Sequence, residues 1–177
     1  MSALHPCLTL RIWPECDASV TGAVALVSIA LALLLPAGVR ADAAAVKLTA
    51  TERAFVAALN EARVDNGRPP LVSDARLVRA ARTHSQDMID RRYFEHGAFA
   101  QRLARYGIHG GQIGENIGWT SGSSNTVATL VRMWLRSPGH RAVLLSPGFG
   151  SIGVGVARGA FKGWPGAVVV TTDFHGS

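Results

Sequence analysis

Cysteine is scarce in this sequence, and both of its residues lie near the start. Cys7 and Cys16 are the only two among 177 residues, and both precede an apolar run over residues 20–35. Pro36 and Gly38 break that run, which is shorter than the about 20 residues of a membrane span and typical of a signal peptide. If the run is removed in the mature protein, disulfides, thiol catalysis and cysteine-bound metals are excluded.

Small residues follow the run and indicate where a signal peptidase would cut. Ala41 and Ala43 fit the small-residue pattern of such sites. We therefore expect residues 1–41 to be a signal peptide, or an uncleaved N-terminal anchor, and residues 46–177 to form one domain. The expected location is secreted, extracellular or periplasmic, with membrane contact only if the N-terminal segment is retained.

Lysine is almost absent, although the sequence is basic. The chain has 18 lysines and arginines against 12 acidic residues, a net charge of +6, and only Lys47 and Lys162 are lysines. The arginines are scattered, Arg91-Arg92 being the one adjacent pair, and they form no nucleic-acid motif with interleaved aromatics. No nucleic-acid partner is expected. Attraction to anionic wall polymers or lipid head groups is one interpretation, and the composition of a GC-rich genome is the simpler one.

Helical patterns occupy most of the chain after the apolar run. A helix is predicted over residues 48–65, starting with a capping box at Thr49 and Glu52. Further helices are predicted over residues 74–91 and 99–106, and another carries the spacing Val127, Leu130, Val131, Trp134 and Leu135. The breaks between them fall at Gly and Pro residues.

The last part of the chain changes to an alternating pattern. Residues 151–157 and 168–174 predict two strands, paired as an antiparallel hairpin with a long loop over residues 159–166. Residues 110–117 are predicted to be a loop. Helices first and strands last indicate an α+β fold, with no internal repeat and no second module.

Three residues whose side chains can bind a metal ion or transfer a proton lie in distinctive short sequence motifs. His96 ends Tyr-Phe-Glu-His, Glu115 lies in Gly-Glu-Asn-Ile, and His140 follows Ser-Pro-Gly. Two imidazoles and a carboxylate suit Zn²⁺ or another divalent ion with open positions, with His96 and His140 as the metal ligands. Glu115 could instead orient His96 or act as a general base.

An ordered series of short segments resembles the CAP superfamily, which includes cysteine-rich secretory proteins, insect venom antigen 5 and plant pathogenesis-related 1 proteins. The resemblance is closest to short bacterial secreted members with an SCP-like domain and covers about residues 50–174. The segments are Leu59-Asn-Glu-Ala-Arg63, Tyr93-Phe-Glu-His96, Gly114-Glu-Asn-Ile117, Trp134-Leu-Arg-Ser-Pro-Gly-His140 and Ile152-Gly-Val-Gly155.

The resemblance implies an α-β-α sandwich with a small antiparallel sheet between helical layers. It also implies that His96, Glu115 and His140 line a central cleft. Many eukaryotic members have a further Glu three residues after the helix tryptophan, where this chain has Ser137. A function that needs two cleft carboxylates is therefore not supported, and the toxin-like activities tied to a C-terminal cysteine-rich module are not carried over.

Each candidate residue also has a structural interpretation. His96 and His140 could simply bond backbone carbonyls or cap a helix, and Asn116 is expected to fix its loop. Ser137 could form a triad with His140 and Glu115, but no nucleophile elbow surrounds it. The remaining interpretations are structural: His84 as a satisfied buried histidine, and Trp119, Trp134 and Trp164 as core or cleft-wall aromatics.

Three functions are compatible with these features. The first is a secreted binding or cell-envelope interaction module with a divalent-metal-capable cleft, whose ligand is a peptide, a lipid or a wall polymer. The second is a metal-dependent hydrolase acting on wall peptides or secreted proteins, with Glu115 as general base. The third, implied by relatives that bind sterols or fatty acids, is a lipid-binding protein.

Overall fold

The computed structural model describes residues 46–122 and 126–176. The predicted signal peptide and both cysteines lie outside these residues, as does part of the polar turn expected before the tryptophan helix. The elements in chain order are α1 (Ala50–Asp65), β1 (Val72–Ser73), α2 (Ala75–Arg91), α3 (Phe99–Arg105), β2 (Gln112–Thr120), α4 (Thr126–Arg136), α5 (Pro138–Leu144), β3 (Ser151–Phe161) and β4 (Trp164–Gly176). None of the helices within the described ranges is long and apolar enough to cross a membrane.

One four-stranded sheet has the order β1-β3-β4-β2. The predicted antiparallel pairing of the last two strands is confirmed, and β2 also runs antiparallel to β4. The short β1 pairs with β3 in parallel, with Val72 opposite Ser151. The sheet is therefore antiparallel, as expected, except for this short parallel strand at its edge.

Helices cover both faces of the sheet, which confirms the α-β-α sandwich. Alternating residues of β4 point in opposite directions because successive side chains of a strand alternate between faces. Val168 and Val170 join a core cluster with Phe55 of α1 and Trp134 of α4. Val169 instead joins a cluster with residues of α2 on the opposite face, including Met88 and Ile89.

The predicted start signals of the first two long helices are confirmed. Thr49 Oγ1 accepts a hydrogen bond from the amide of Glu52 at 3.2 Å, and the Glu52 carboxylate accepts from the amide of Thr49 at 2.7 Å. The same carboxylate binds Arg82 of α2, so this cap also joins the two helices across the sheet edge. Asp74 caps α2 by accepting from the amide of Arg76 at 2.7 Å.

Two predicted loops are strands instead. Residues 112–120 form β2, so Glu115 lies on a strand and not on the expected loop. The long hairpin loop shrinks to a tight turn in which Phe161 pairs with Trp164. Lys162 and Gly163 both have positive φ, 48° and 86°, which is the requirement of a type I′ hairpin turn.

The predicted break before His140 is also corrected. Pro138 starts α5, where proline is favoured because the first turn needs no amide donor, and His140 lies inside that helix. Trp134 is buried as expected, whereas Trp164 is 53% exposed and contributes to neither core nor cleft.

Candidate functional site

His96 and Glu115 form the centre of the site. His96 lies between α2 and α3, with its side chain half exposed, and its Nδ1 is 2.7 Å from Oε1 of the buried Glu115. An Nδ1–H that donates to this carboxylate fixes the ring orientation and leaves Nε2 with its lone pair. Burial lowers the pKa of His96, and the positive charge of Arg102 lowers it further, so the neutral imidazole is favoured.

The second oxygen of Glu115 is bound by Arg102, a residue of α3. Arg102 Nη2 donates to Glu115 Oε2, and Nη1 donates to the carbonyl of His96 at 3.4 Å. His84 Nε2 donates to the carbonyl of Glu95 at 3.0 Å and lies 3.9 Å from Glu115 Oε2. Both carboxylate oxygens of Glu115 are thus engaged, one by the imidazole and one by the guanidinium.

A second carboxyl group lies directly beside Glu115. Asp173 is its cross-strand partner in β4 and is fully buried. Arg102 Nη2 is 3.8 Å from Asp173 Oδ1, and no described residue donates a standard hydrogen bond to either Asp173 oxygen. Two ionised carboxylates opposite each other on a sheet would repel.

The pair resolves this repulsion by holding a proton. Burial raises the pKa of Asp173 well above its usual value, and the negative charge of Glu115 raises it further. Burial also raises the pKa of Glu115, to about 7, while the positive charge of Arg102 opposes that rise. Since Arg102 and His96 both favour an ionised Glu115, we assign the proton to Asp173.

His140 is positioned by α5 and by β2. Its Nδ1 is 2.8 Å from Ser137 Oγ, and Asn116 Nδ2 donates to its backbone carbonyl at 3.0 Å. Asn116 is therefore a structural amide, as expected from the sequence. Burial lowers the pKa of His140, and the nearby His96 lowers it further. His140 is thus connected to the His96–Glu115 pair through Asn116, the β2 neighbour of Glu115.

Ser137 contacts His140 but does not extend into a triad. The carboxylate of Glu115 is committed to His96 and Arg102, and no described acidic group hydrogen-bonds the His140 ring. Ser137 also opens α5 as its N-cap, without a side-chain capping bond. The interpretation of Ser137 as a cleft residue and not a nucleophile stays a prediction that this geometry favours.

The donor set fits a metal ion only through the two imidazoles. Nε2 of His96 and Nε2 of His140 have no hydrogen-bond partner in residues 46–122 and 126–176. The same ranges hold no group of three or more His, Cys, Asp or Glu side chains arranged to hold a metal. Glu115 is thus placed to orient a ligand and not to be one, and its predicted role as general base would require breaking one of its contacts.

An apolar groove adjoins His140. It has a volume of about 230 Å³, and its lining includes Phe94, Trp119, Met133 and Ser137. Met133 is 54% exposed there. A ligand held at the imidazoles could extend an apolar portion into this groove.

Sequence reasoning missed Arg102 and Asp173. Asp173 is the one charged residue in the strongly apolar segment 168–174, and an acid in a buried strand requires a partner. That signal was available in the sequence. Arg102 gave none, because an arginine on a short helix is most simply solvated.

A four-stranded sheet enclosed by helices on both faces is the architecture of an SCP domain. The match to a family model over residues 56–173 agrees with this architecture. The chain belongs to the CAP family, the cysteine-rich secretory protein family.

Relatives and solved structures with the same fold come from several bacteria. The uncharacterized protein YkwD of Bacillus subtilis is 36% identical over 113 residues, which cover 61% of this chain and 43% of YkwD. The uncharacterized membrane protein YlbC of the same organism is 33% identical over 115 residues, which cover 62% of this chain and 32% of YlbC. The chain thus spans less than half the length of these curated relatives.

The structural similarity extends further than the sequence similarity. An extracellular protein with an SCP domain from Bacillus anthracis superposes with a TM-score of 0.61 at 27% identity, covering 75% of this chain and 45% of that one. An outer surface protein of Borrelia burgdorferi has the same TM-score at 17% identity, covering 75% and 97%. At that identity the likeness shows the fold alone.

Proposed function

We propose that this chain is an extracellular binding module whose cleft takes a divalent metal through His96 and His140. An envelope ligand, such as a peptide, a lipid or a wall polymer, would bind at the same place. The apolar run over residues 20–35 and the extracellular location of the Bacillus anthracis neighbour support the proposed location. The arrangement of the two imidazoles supports the chemistry.

The carrying observation is that both rings are held through Nδ1. Glu115 fixes His96 at 2.7 Å and Ser137 fixes His140 at 2.8 Å. Metal-binding histidines are commonly oriented by a second partner at the other ring nitrogen. A bound divalent ion would supply a Lewis-acidic centre with positions open to a ligand. With two protein ligands, the affinity is expected to be modest.

The test is a Zn²⁺ titration by calorimetry of the full chain in a Cys7→Ser/Cys16→Ser background. The serines remove the two thiols as alternative ligands. We expect one saturable site, lost in the His96→Ala/His140→Ala variant. His109→Ala, a change at an exposed loop histidine, is the matched control and should bind like the parent. Equal binding by the double-histidine variant, or none by the parent, would overturn the proposal.

A second candidate is binding of an apolar ligand without metal. The groove beside His140, with its exposed Met133, is the observation that favours it. A fatty acid that binds equally well to the parent and to the His96→Ala/His140→Ala variant, but more weakly to Met133→Lys, would support this function over metal-assisted binding.

Hydrolysis stays the alternative expected from the sequence. Turnover would require Glu115 to accept a proton while its two oxygens are bound by His96 and Arg102. Assays on peptidoglycan and casein with added Zn²⁺ test this alternative. Activity abolished by Glu115→Gln, with the fold intact, would favour the enzyme over the binding module.

A further inference from the structure

A separate cavity lies between α2 and α3. Its volume is about 600 Å³, and neither His96 nor His140 lines it. This size falls in the range of small-molecule sites. Three arginines and one aspartate line it, so its lining is predominantly cationic.

Two of the arginines are available to a ligand. Arg105 makes no ion pair or hydrogen bond with any residue in the described part of the chain, and its residue is exposed. Arg91 is 72% exposed, and its one ion pair within residues 46–122 and 126–176, to Asp87, is 3.3 Å long. Its guanidinium also lies 5.4 Å from the ring centroid of Tyr93. Solvent-exposed ion pairs of this kind contribute little to stability, so an anion can compete with Asp87 for Arg91.

Ordered aromatic and polar groups complete the cavity. The Tyr106 hydroxyl is 2.6 Å from Thr83 Oγ1, and the Tyr93 hydroxyl donates to Asp87 at 2.6 Å. His84 forms part of the lining, and burial lowers its pKa to about 4, so it adds no charge at neutral pH. The walls are thus held by their own hydrogen bonds, while Arg105 has no side-chain partner among the described residues.

Arg102 forms the boundary between this cavity and the candidate cleft. It lines the cavity, yet its guanidinium binds Glu115, and its buried Nε has no hydrogen-bond partner among the described residues. The groups available to an anion are therefore Arg91 and Arg105, because Arg102 is already paired with Glu115.

We propose that this cavity binds a small ligand bearing a carboxylate or a phosphate. Guanidinium groups bind both oxyanions through paired N–H donors. The tyrosine rings would contact the organic part of such a ligand. The cavity has room for one small molecule, and its arginines are confined to it, which disfavours a polyanion as the ligand. This site is independent of the proposed metal cleft.

Calorimetric titration of the full chain with N-acetyl-alanyl-alanine, its C-terminal amide and glycerol 1-phosphate tests the proposal. We expect saturable binding of the carboxylate, the phosphate or both, and none of the amide. Binding of the dipeptide acid would indicate that the natural ligand is a peptide C-terminus, and binding of glycerol 1-phosphate would indicate a phosphorylated ligand. Arg105→Gln and Arg91→Gln should each weaken binding by about tenfold, the cost of one charged hydrogen bond.

Arg132→Gln, at an exposed arginine of α4, removes the same charge elsewhere and should leave the affinity unchanged. The His96→Ala/His140→Ala variant should also bind the anion normally, which separates this site from the metal cleft. Equal losses in Arg105→Gln and Arg132→Gln would reduce the effect to net charge and overturn the proposal. Binding of the amide as tight as the acid, or no saturable binding of either anion, would do the same.

Discussion

A protonated acid buried beneath the candidate cleft is the least expected single residue of this molecule. Asp173 is fully buried opposite Glu115, and its side-chain oxygens receive no standard hydrogen bond in the described residues. The proton it holds lets Glu115 stay ionised, and an ionised Glu115 orients His96.

The Asp173→Asn substitution is expected to stabilise the fold increasingly as pH rises. An acid whose pKa is higher in the folded than in the unfolded state retains a proton that the unfolded chain has lost, so it costs stability as pH rises between those values. Burial raises the pKa of Asp173, and an amide removes that cost. Relative to the parent, the variant should gain on the order of 1–3 kcal/mol between about pH 5 and pH 8.

Urea unfolding at several pH values measures this difference. Using the difference between variant and parent cancels the histidines, whose lowered pKa values act with the opposite sign. Asp90→Asn, at an exposed position of α2, should follow the parent at every pH. A constant offset between Asp173→Asn and the parent would show that the carboxyl does not titrate as argued.

At the scale of elements, the helices could be predicted from sequence and the sheet only partly. The helices carry their own signals, as the capping box at Thr49 and the spacing up to Trp134 show. Strand β2 was not predicted from the sequence because Gly114, Glu115 and Asn116 have low strand propensity. These residues form a strand only because β4 provides their backbone hydrogen-bond partners. That pairing depends on the tertiary fold and cannot be predicted from the local sequence. The site was limited in the same way, since the contact between Glu115 and Asp173 depends on register.

Two glycines of β3 allow α2 to approach the sheet closely. A Cβ built on Gly153 would lie 2.1 Å from the carbonyl carbon of Leu77, and one on Gly155 would lie 2.1 Å from that of Ala81. These obstacles are backbone atoms of a helix, which cannot rotate away. The Gly-x-Gly spacing of the strand therefore matches one turn of the helix packed against it.

Gly155→Ala is expected to destabilise the protein by about 3 kcal/mol or more, because the helix must move as a unit. Gly166→Ala in β4 is the matched control, since nothing lies within 4 Å of its added Cβ and its φ is not positive. That change should be neutral or slightly stabilising. Guanidinium unfolding of both variants gives the comparison, and equal effects would contradict the close approach of α2.

At the scale of the whole domain, one buried arginine connects distant parts of the chain. Arg63 of α1 is fully buried. Its Nε donates to the carbonyl of Pro69 at 2.9 Å, and its Nη1 donates to the carbonyls of Leu144 and Ser146 at 2.7 and 3.0 Å. The carbonyls of Leu144 and Ser146 belong to the end of α5 and the turn before β3. Because α5 also carries His140, the same arginine supports the part of the fold that presents the second imidazole.

Arg63→Met retains much of the side-chain volume but leaves these carbonyls without their donor. A buried carbonyl that loses its hydrogen-bond donor costs about 1–3 kcal/mol, so this variant should unfold at clearly lower denaturant. Arg68→Met, an exposed arginine on the following turn, should change stability by less than about 0.5 kcal/mol. If Arg63→Met were as stable as Arg68→Met, the α5 segment would be held by its apolar contacts alone. Loss of stability together with weakened Zn²⁺ binding in the folded fraction would instead show that Arg63 also positions His140 for the ion.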